Sequence, residues 1–355
     1  MKKILIFALC IFSMTITSAC SDDDDNTPTG SNEIPKLNID NLRESPLKMG
    51  AAVNITHLKN DAKYKEILIK EFSSITAENA MKMTVVSKGK GLYFFDDADY
   101  IVDFAKQNNM RVHGHTLIWY RETPAWIQSF SGNKEAWKTL MKEYIQDVVT
   151  HFKGEVTSWD VVNEVLLDDG TYRPCVWLTN IGTEYIELAF KYAHEADPDA
   201  ILFYNEYGQE YSHAKNVAIN KLADELIAKN VPIHGIGLQM HTDINKLEGR
   251  IEYAVRAAAA RNLKVHVSEL DVSVNPDNIE TLTFTDELAK KQQDIYRYVT
   301  KAMMDIPVEL QFGITMWGVT DQYSWRYSSP DWVLPFSKDY ERKPAYDGIL
   351  QGLYK

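Results

Sequence analysis

The sequence predicts an α/β fold, a single-domain (β/α)8 TIM barrel. Three observations lead there. Eight strand-type runs alternate with eight helix-type runs between about residue 38 and the C-terminal residues. Most strand runs are continuously apolar rather than alternating, as expected for strands covered on both faces. No linker, low-complexity break or short repeat interrupts the alternation. A doubly wound open sheet is the runner-up, weakened because no glycine-rich phosphate loop follows a strand.

Taken in order, the first 37 residues stand outside the alternation. Met1-Lys2-Lys3 is a basic start, 4–17 is an apolar run too short to span a bilayer comfortably, and Thr17-Ser18-Ala19-Cys20 closes it. This resembles a bacterial lipoprotein signal, with a signal peptide over 1–19 and lipidation at Cys20. A plain secretory signal cleaved nearby is the alternative; both predict export. Residues 20–37 are poor in apolar side chains and read as an acidic flexible tether. Their Asp22-Asp23-Asp24-Asp25 run resembles the acidic stretch after the lipid cysteine of surface-exported lipoproteins in some Gram-negative bacteria. The expectation is therefore a lipid anchor in the outer membrane, with the cell surface as the further reading; simple solvation is the other account of the aspartates. Of three cysteines, Cys10 lies in the signal and Cys20 at its end. Cys175 stands alone, without metal-ligand spacing, and reads as a packing residue with no disulfide partner.

The catalytic domain is expected over 38–355, with strands at 48–53, 73–78, 111–119, 156–163, 200–205, 233–239, 264–269 and 311–317. Helices are expected at 61–70, 96–109, 134–152, 183–196, 212–229, 246–261, 285–304 and 344–352, each with apolar residues at helical spacing. Thr183 and Thr285, each followed by an acidic residue, are expected N-caps.

The net charge of −12 gives the protein no reason to approach a phosphate backbone, so no nucleic-acid partner is expected. Membrane contact is expected only through the lipid, and the protein as a monomer. The 8 Trp and 19 Tyr admit either core packing or stacking platforms for flat ligands such as sugar rings.

In such a barrel, chemistry gathers at the C-terminal strand ends. Strand two ends in Glu78-Asn79 with Lys82 a turn later; strand three carries His115 and ends in Trp119. Strand four ends in Asn163-Glu164 and strand five in Asn205-Glu206-Tyr207. Strand six ends in Gln239 with His241 beyond, strand seven in Glu269 and Asp271, strand eight in Trp317 with Asp321 and Trp325 following. Singly, each is most simply a cap, a loop residue or core. Seven strand ends meeting at one mouth favour function. No metal cluster, serine elbow or nucleotide fingerprint appears, so neither metal nor cofactor is expected.

Two carboxylates among amides, a lysine, histidines and tryptophans suit glycoside hydrolysis. One carboxyl protonates the leaving oxygen; the other attacks the anomeric carbon or activates water. Asp271 and His241 are expected to form a pair that keeps Glu269 charged, making Glu269 the nucleophile and Glu164 the acid/base. Asn163 is placed to bond a sugar 2-hydroxyl. A separation of about 5 Å between the two carboxyls would mean retention, and a clearly longer one inversion.

The chain resembles family 10 of the glycoside hydrolases, the endo-1,4-β-xylanases. The resemblance rests on six motifs in order: Thr76-Ala77-Glu78-Asn79-Ala80-Met81-Lys82, Gly114-His115-Thr116-Leu117-Ile118-Trp119, Trp159-Asp160-Val161-Val162-Asn163-Glu164, Gly237-Leu238-Gln239-Met240-His241, Ser268-Glu269-Leu270-Asp271, and Trp317-Gly318-Val319-Thr320-Asp321 with Ser324-Trp325-Arg326. It implies retaining hydrolysis of internal β-1,4 bonds in xylan or xylo-oligosaccharides. It also implies that Lys82, His115, Trp119, Asn163, Gln239, His241, Trp317 and Trp325 line the sugar at the cleavage point. Glu78 and Asn79 would bind the next sugar towards the non-reducing end, and Tyr207 would stack on the leaving-group side. The chain departs from the family where Tyr120-Arg121-Glu122 replaces His-Ser-Gln, and where Met83 stands for Trp or Phe. A retaining β-1,4-glucanase on the same barrel is the alternative. A non-catalytic glycan-binding lipoprotein would be expected to lack one of the two glutamates.

Overall fold

A computed structural model describes residues 34–326 and 329–354. The expected signal peptide, Cys20 and most of the tether lie outside the described residues. Eight strands form the barrel: β1 Met49–Val53, β2 Ser74–Ala77, β3 Arg111–Gly114, β4 Val156–Asn163, β5 Ile201–Glu206, β6 Gly235–Leu238, β7 Lys264–Ser273 and β8 Gln311–Met316. Each pairs in parallel with the next, and β8 pairs in parallel with β1, so the sheet closes without an edge. The principal helices are α1 Ala62–Glu71, α2 Asp96–Gln107, α3 Lys134–His151, α4 Glu184–Ala196, α5 His213–Ala228, α6 Glu248–Ala259, α7 Asp286–Met304 and α8 Pro344–Leu353.

Covering both faces of every strand explains the continuous apolar runs. Met49, Ala51, Val53, Val161, Val162, Leu202, Phe203, Val265 and Val267 are all buried. The barrel interior below the site is partly polar. His113, Phe203, His266 and Phe312 meet edge to face, with centroids 4.7 Å apart for the two histidines. The Ser158 hydroxyl lies 2.8 Å from His113 Nδ1, and the Thr315 hydroxyl 2.9 Å from His266 Nε2. Burial holds His266 well below the ordinary histidine pKa, so it is a neutral core residue.

The structure differs from expectation at four places. The third strand does not run unbroken to Trp119. His115–Leu117 leave the ladder because Thr116 Oγ1 and Leu117 N–H both donate to the Asp160 carbonyl, at 2.9 and 3.0 Å. Ile118–Trp119 then pairs afresh with Val162–Asn163. The seventh strand runs four residues past Glu269, because His241–Asp243 joins it as a parallel ladder from His241↔Asp271 to Asp243↔Ser273. Thr285 caps α7, accepting the Leu288 N–H at 3.3 Å, but Thr183 makes no side-chain cap. With φ −58° and ψ −22°, Thr183 is already helical rather than extended as a capping residue usually is. Cys175 is not simply a packing residue: its sulfur caps the short helix Val176–Ile181, 3.4 Å from the Leu178 N–H.

Candidate active site

A cavity of about 560 Å³ opens at the C-terminal end of the barrel. Its walls contain Glu164, Glu269 and all eleven residues expected to bind sugar: Glu78, Asn79, Lys82, His115, Trp119, Asn163, Tyr207, Gln239, His241, Trp317 and Trp325. Asp271 lies behind this wall, fully buried.

Glu269 is held on both oxygens. Oε1 accepts from Asn205 Nδ2 at 2.7 Å, and Oε2 lies 3.2 Å from His241 Nε2. The other ring nitrogen of His241 is 2.8 Å from Asp271 Oδ2. Asp271 also accepts from Trp325 Nε1 at 2.8 Å and Arg326 Nε at 3.0 Å. Burial alone would lower the His241 pKa, but Asp271 and Glu269 outweigh it and push it up to about 10. Burial would likewise raise Asp271, yet His241 and Arg326 hold it below the usual carboxylate range. An imidazolium between two carboxylates therefore faces Glu269.

This arrangement gives a pH prediction. His241 has a folded pKa near 10 against an ordinary value of 6.5. Its ionic contribution to stability is complete below about pH 6.5 and disappears as pH rises through about 10. Between pH 7 and 10 the melting temperature of the wild type should fall more than that of His241→Gln. Parallel falls in a thermal denaturation series would refute the charged state of His241.

Glu164 is presented differently. It follows the last residue of β4 and adopts φ 56°, a left-handed conformation that is uncommon for a residue with a Cβ and marks local strain. Its amide donates to the Asn205 carbonyl at 3.0 Å, and its Oε1 accepts from Gln239 Nε2 at 3.1 Å. Asn163 Oδ1 accepts from both Asn205 and Gln239, at 3.0 and 3.2 Å. The Asn163 amide nitrogen is the group left to donate to a ligand. Asn205 and Gln239 thus tie the two glutamates into one hydrogen-bonded frame.

On one wall Lys82 Nζ donates to Asn79 at 2.9 Å and Asn79 to Glu78 at 3.1 Å, while Lys82 lies 5.1 Å from the Trp119 ring centroid. His115 Nδ1 is 2.9 Å from Asp160 Oδ2, and His113 Nε2 is 3.0 Å from Oδ1 of the same carboxyl. The second contact is close in distance only, since its alignment does not make a hydrogen bond. Burial would raise the Asp160 carboxyl, but the two histidines hold it well below the usual range. Trp317 packs edge to face on His115 at 5.2 Å, whereas Trp325 is half exposed at the rim. Lys215 Nζ sits 3.1 Å from the Tyr207 ring centroid, covering one face of that ring.

The cavity also takes in Tyr120, Arg121, Glu122, Tyr211 and Arg326. Tyr120, Arg121 and Glu122 are departures from the family pattern, so they alter the cleft wall itself. Met83, the other departure, is buried away from it. Thr84, next to Met83, donates to the Glu122 carboxylate. Asn205 is the main residue missed as a direct partner of Glu269. Its place at a strand end was visible, but its role depends on Gly237 opposite: a Cβ there would stand 2.2 Å from Asn205 Oδ1.

Comparison with known proteins places this geometry. The sequence model of glycosyl hydrolase family 10 matches residues 38–352. Endo-1,4-beta-xylanase B of Thermotoga neapolitana is 35% identical over 326 residues, covering 91% of this chain and 92% of that one. A beta-1,4-xylanase of Dictyoglomus thermophilum is 38% identical over 330 residues, covering 90% and 91%. The crystal structure of xylanase 10B from Thermotoga petrophila RKU-1 in complex with xylobiose superposes with a TM-score of 0.82 at 37% identity, covering 90% of this chain and 98% of that one.

Proposed function

The chain belongs to glycosyl hydrolase family 10, and on that premise we propose that it is an endo-1,4-β-xylanase that cleaves internal β-1,4-xylosidic linkages of xylan by retaining double displacement. The observation that carries the mechanism is the unequal environment of the two glutamates. Glu269 receives hydrogen bonds on both oxygens from Asn205 and from an imidazolium. Held on both oxygens, Glu269 is the group placed to attack the anomeric carbon. Glu164 carries one side-chain hydrogen bond, from Gln239, and is the group that protonates the departing oxygen. The glycosyl–Glu269 ester is then hydrolysed by a water whose proton returns to Glu164. Asn163 donates to the 2-hydroxyl, a bond that strengthens in the transition state. Glu78, Asn79 and Lys82 bind hydroxyls of the sugar chain, with Trp119, Trp317 and Trp325 as its apolar walls.

The identity of the sugar follows from the family and its relatives. Reducing-sugar release from xylan should greatly exceed that from carboxymethylcellulose, with a ladder of xylo-oligosaccharides as product. Dominant release from the cellulose substrate would favour a β-1,4-glucanase instead.

The proposal extends to the cell address. The segment that closes in Ala19-Cys20 supports export and lipidation of Cys20, and the following aspartate run supports an outer-membrane anchor on the cell surface. The protein made from its full gene should enter the detergent phase on Triton X-114 partition, and Cys20→Ala should leave it in the aqueous phase. Equal partition of both would rule out the anchor.

A further inference from the structure

Arg173 lies outside the cavity wall yet touches the acid/base and two residues of that wall. After Glu164 the chain folds back on itself, closing an antiparallel bridge between Leu166 and Tyr172 around a turn at Gly170. This return delivers Arg173 beside the left-handed turn at Glu164. The Arg173 amide donates to the Val165 carbonyl at 2.8 Å. Its Nε donates to the Glu164 carbonyl at 2.9 Å, and Nη2 to the Leu166 carbonyl at 3.0 Å and the Tyr207 hydroxyl at 2.8 Å. The guanidinium carbon is 4.5 Å from the Tyr120 ring centroid and 5.8 Å from that of Tyr207. Both tyrosines line the cavity; Arg173 does not.

A planar guanidinium offers five donors in a fixed fork, so this one side chain fixes the carbonyls of Glu164 and Leu166 and a tyrosine hydroxyl together. The Glu164 conformation, φ 56°, is one that its surroundings must impose. The carbonyl clamp from Arg173 is the only side-chain hydrogen bond to that carbonyl among the described residues. Tyr207, on the cavity wall, is held by the same guanidinium that holds the Glu164 carbonyl.

We infer that Arg173 is a positioning residue for proton donation: it sets the reach of the Glu164 carboxyl to the leaving oxygen and couples that reach to occupancy of the wall formed by Tyr120 and Tyr207. The inference rests on the acid/base role proposed for Glu164. It concerns one step only, protonation of the leaving group as the glycosidic C–O bond breaks and the Glu269–carbon bond forms. A displacement of about 1 Å at such a group costs on the order of 100-fold in rate. Leaving groups that depart without a proton escape that cost.

The test compares kcat/KM for 2,4-dinitrophenyl and phenyl β-xylobiosides in the wild type, Arg173→Met and Arg173→Lys. Arg173→Met should lose roughly 10- to 100-fold on the phenyl substrate and less than about threefold on the dinitrophenyl one. Arg173→Lys, with charge but no fork, should fall between. Equal losses on both substrates would mean a merely structural role, and no loss on either would mean no role; each overturns the inference. Should Arg173→Met fail to fold, the same selectivity ratio is read from Arg173→Lys. If the wild type itself hydrolyses neither xylobioside, the proposed function fails rather than the positioning role.

Discussion

Glu269→Ala should lower kcat on xylan by about 10⁴-fold or more, the scale seen when a covalent nucleophile is removed. Asn205 and His241 converge on its carboxylate from two sides, and the buried Asp271 holds the far nitrogen of the His241 ring. Removing the carboxylate leaves those donors aimed at an empty space beside the anomeric carbon. A small anion should fill it: azide should restore turnover of an aryl xylobioside and give the α-azide, because a single displacement inverts the anomeric centre. Activity within tenfold of the wild type would contradict the assignment. The variant's thermal melt separates this from misfolding, since Glu269 lies on a ten-residue strand hydrogen-bonded along its length.

The second large effect concerns Glu164. Glu164→Ala should reduce kcat/KM on xylotetraose by about 10²- to 10⁴-fold, the usual worth of a general acid. With a dinitrophenyl leaving group, kcat/KM should stay close to wild type, because formation of the glycosyl–enzyme then needs no proton. The intermediate should accumulate, and azide should intercept it to give the β-azide, the product of two inversions. The two variants thus yield azides of opposite configuration. A β-azide from Glu269→Ala would mean that the roles are exchanged. Steady-state rates with substrates of graded leaving-group acidity measure the first effect, and proton NMR of the products the second.

The residues show why some of this was legible in the chain and some was not. Apolar runs such as 156–163 announce a strand buried on both faces, and a Glu directly after one is placed at the barrel mouth by the fold itself. The glutamates and their amide and aromatic neighbours could therefore be read from strand ends. The pair between His241 and Asp271 is expected from the sequence and found at 2.8 Å, but the backbone that brings it together depends on more than a strand end. Met240, at φ 62°, turns the chain so that His241–Asp243 lies beside Asp271–Ser273, and that turn also lengthens β7 past Glu269. No apolar pattern marks such a turn. The break after Gly114 escapes for a similar reason, because it arises from the Asp160 carbonyl on the adjacent strand. A Cβ on Gly114 would stand 2.2 Å from the Trp159 ring, so that glycine serves close packing between neighbouring strands, which a single segment does not reveal. Arg173 is further from legibility. It sits in a connection with no periodicity, and only the fold-back at Leu166 and Tyr172 brings it to Glu164.

The tyrosine, arginine and glutamate at 120–122 were legible as departures from the family pattern. Their position on the cavity wall turns them from an irregularity of sequence into an altered surface for the sugar chain. Arg173 stacks on Tyr120, so this departure reaches the clamp on the Glu164 carbonyl as well as the open cleft.

The proposed mechanism turns on a covalent bond between Glu269 and the sugar. The most direct measurement is to incubate the protein with 2,4-dinitrophenyl 2-deoxy-2-fluoro-β-xylobioside, whose fluorine slows hydrolysis of the intermediate, and to map the labelled peptide by mass spectrometry. One equivalent of fluoroxylobiosyl should be found attached to Glu269, with release of one equivalent of dinitrophenol. A label on Glu164, or release of dinitrophenol with no covalent adduct, would contradict it.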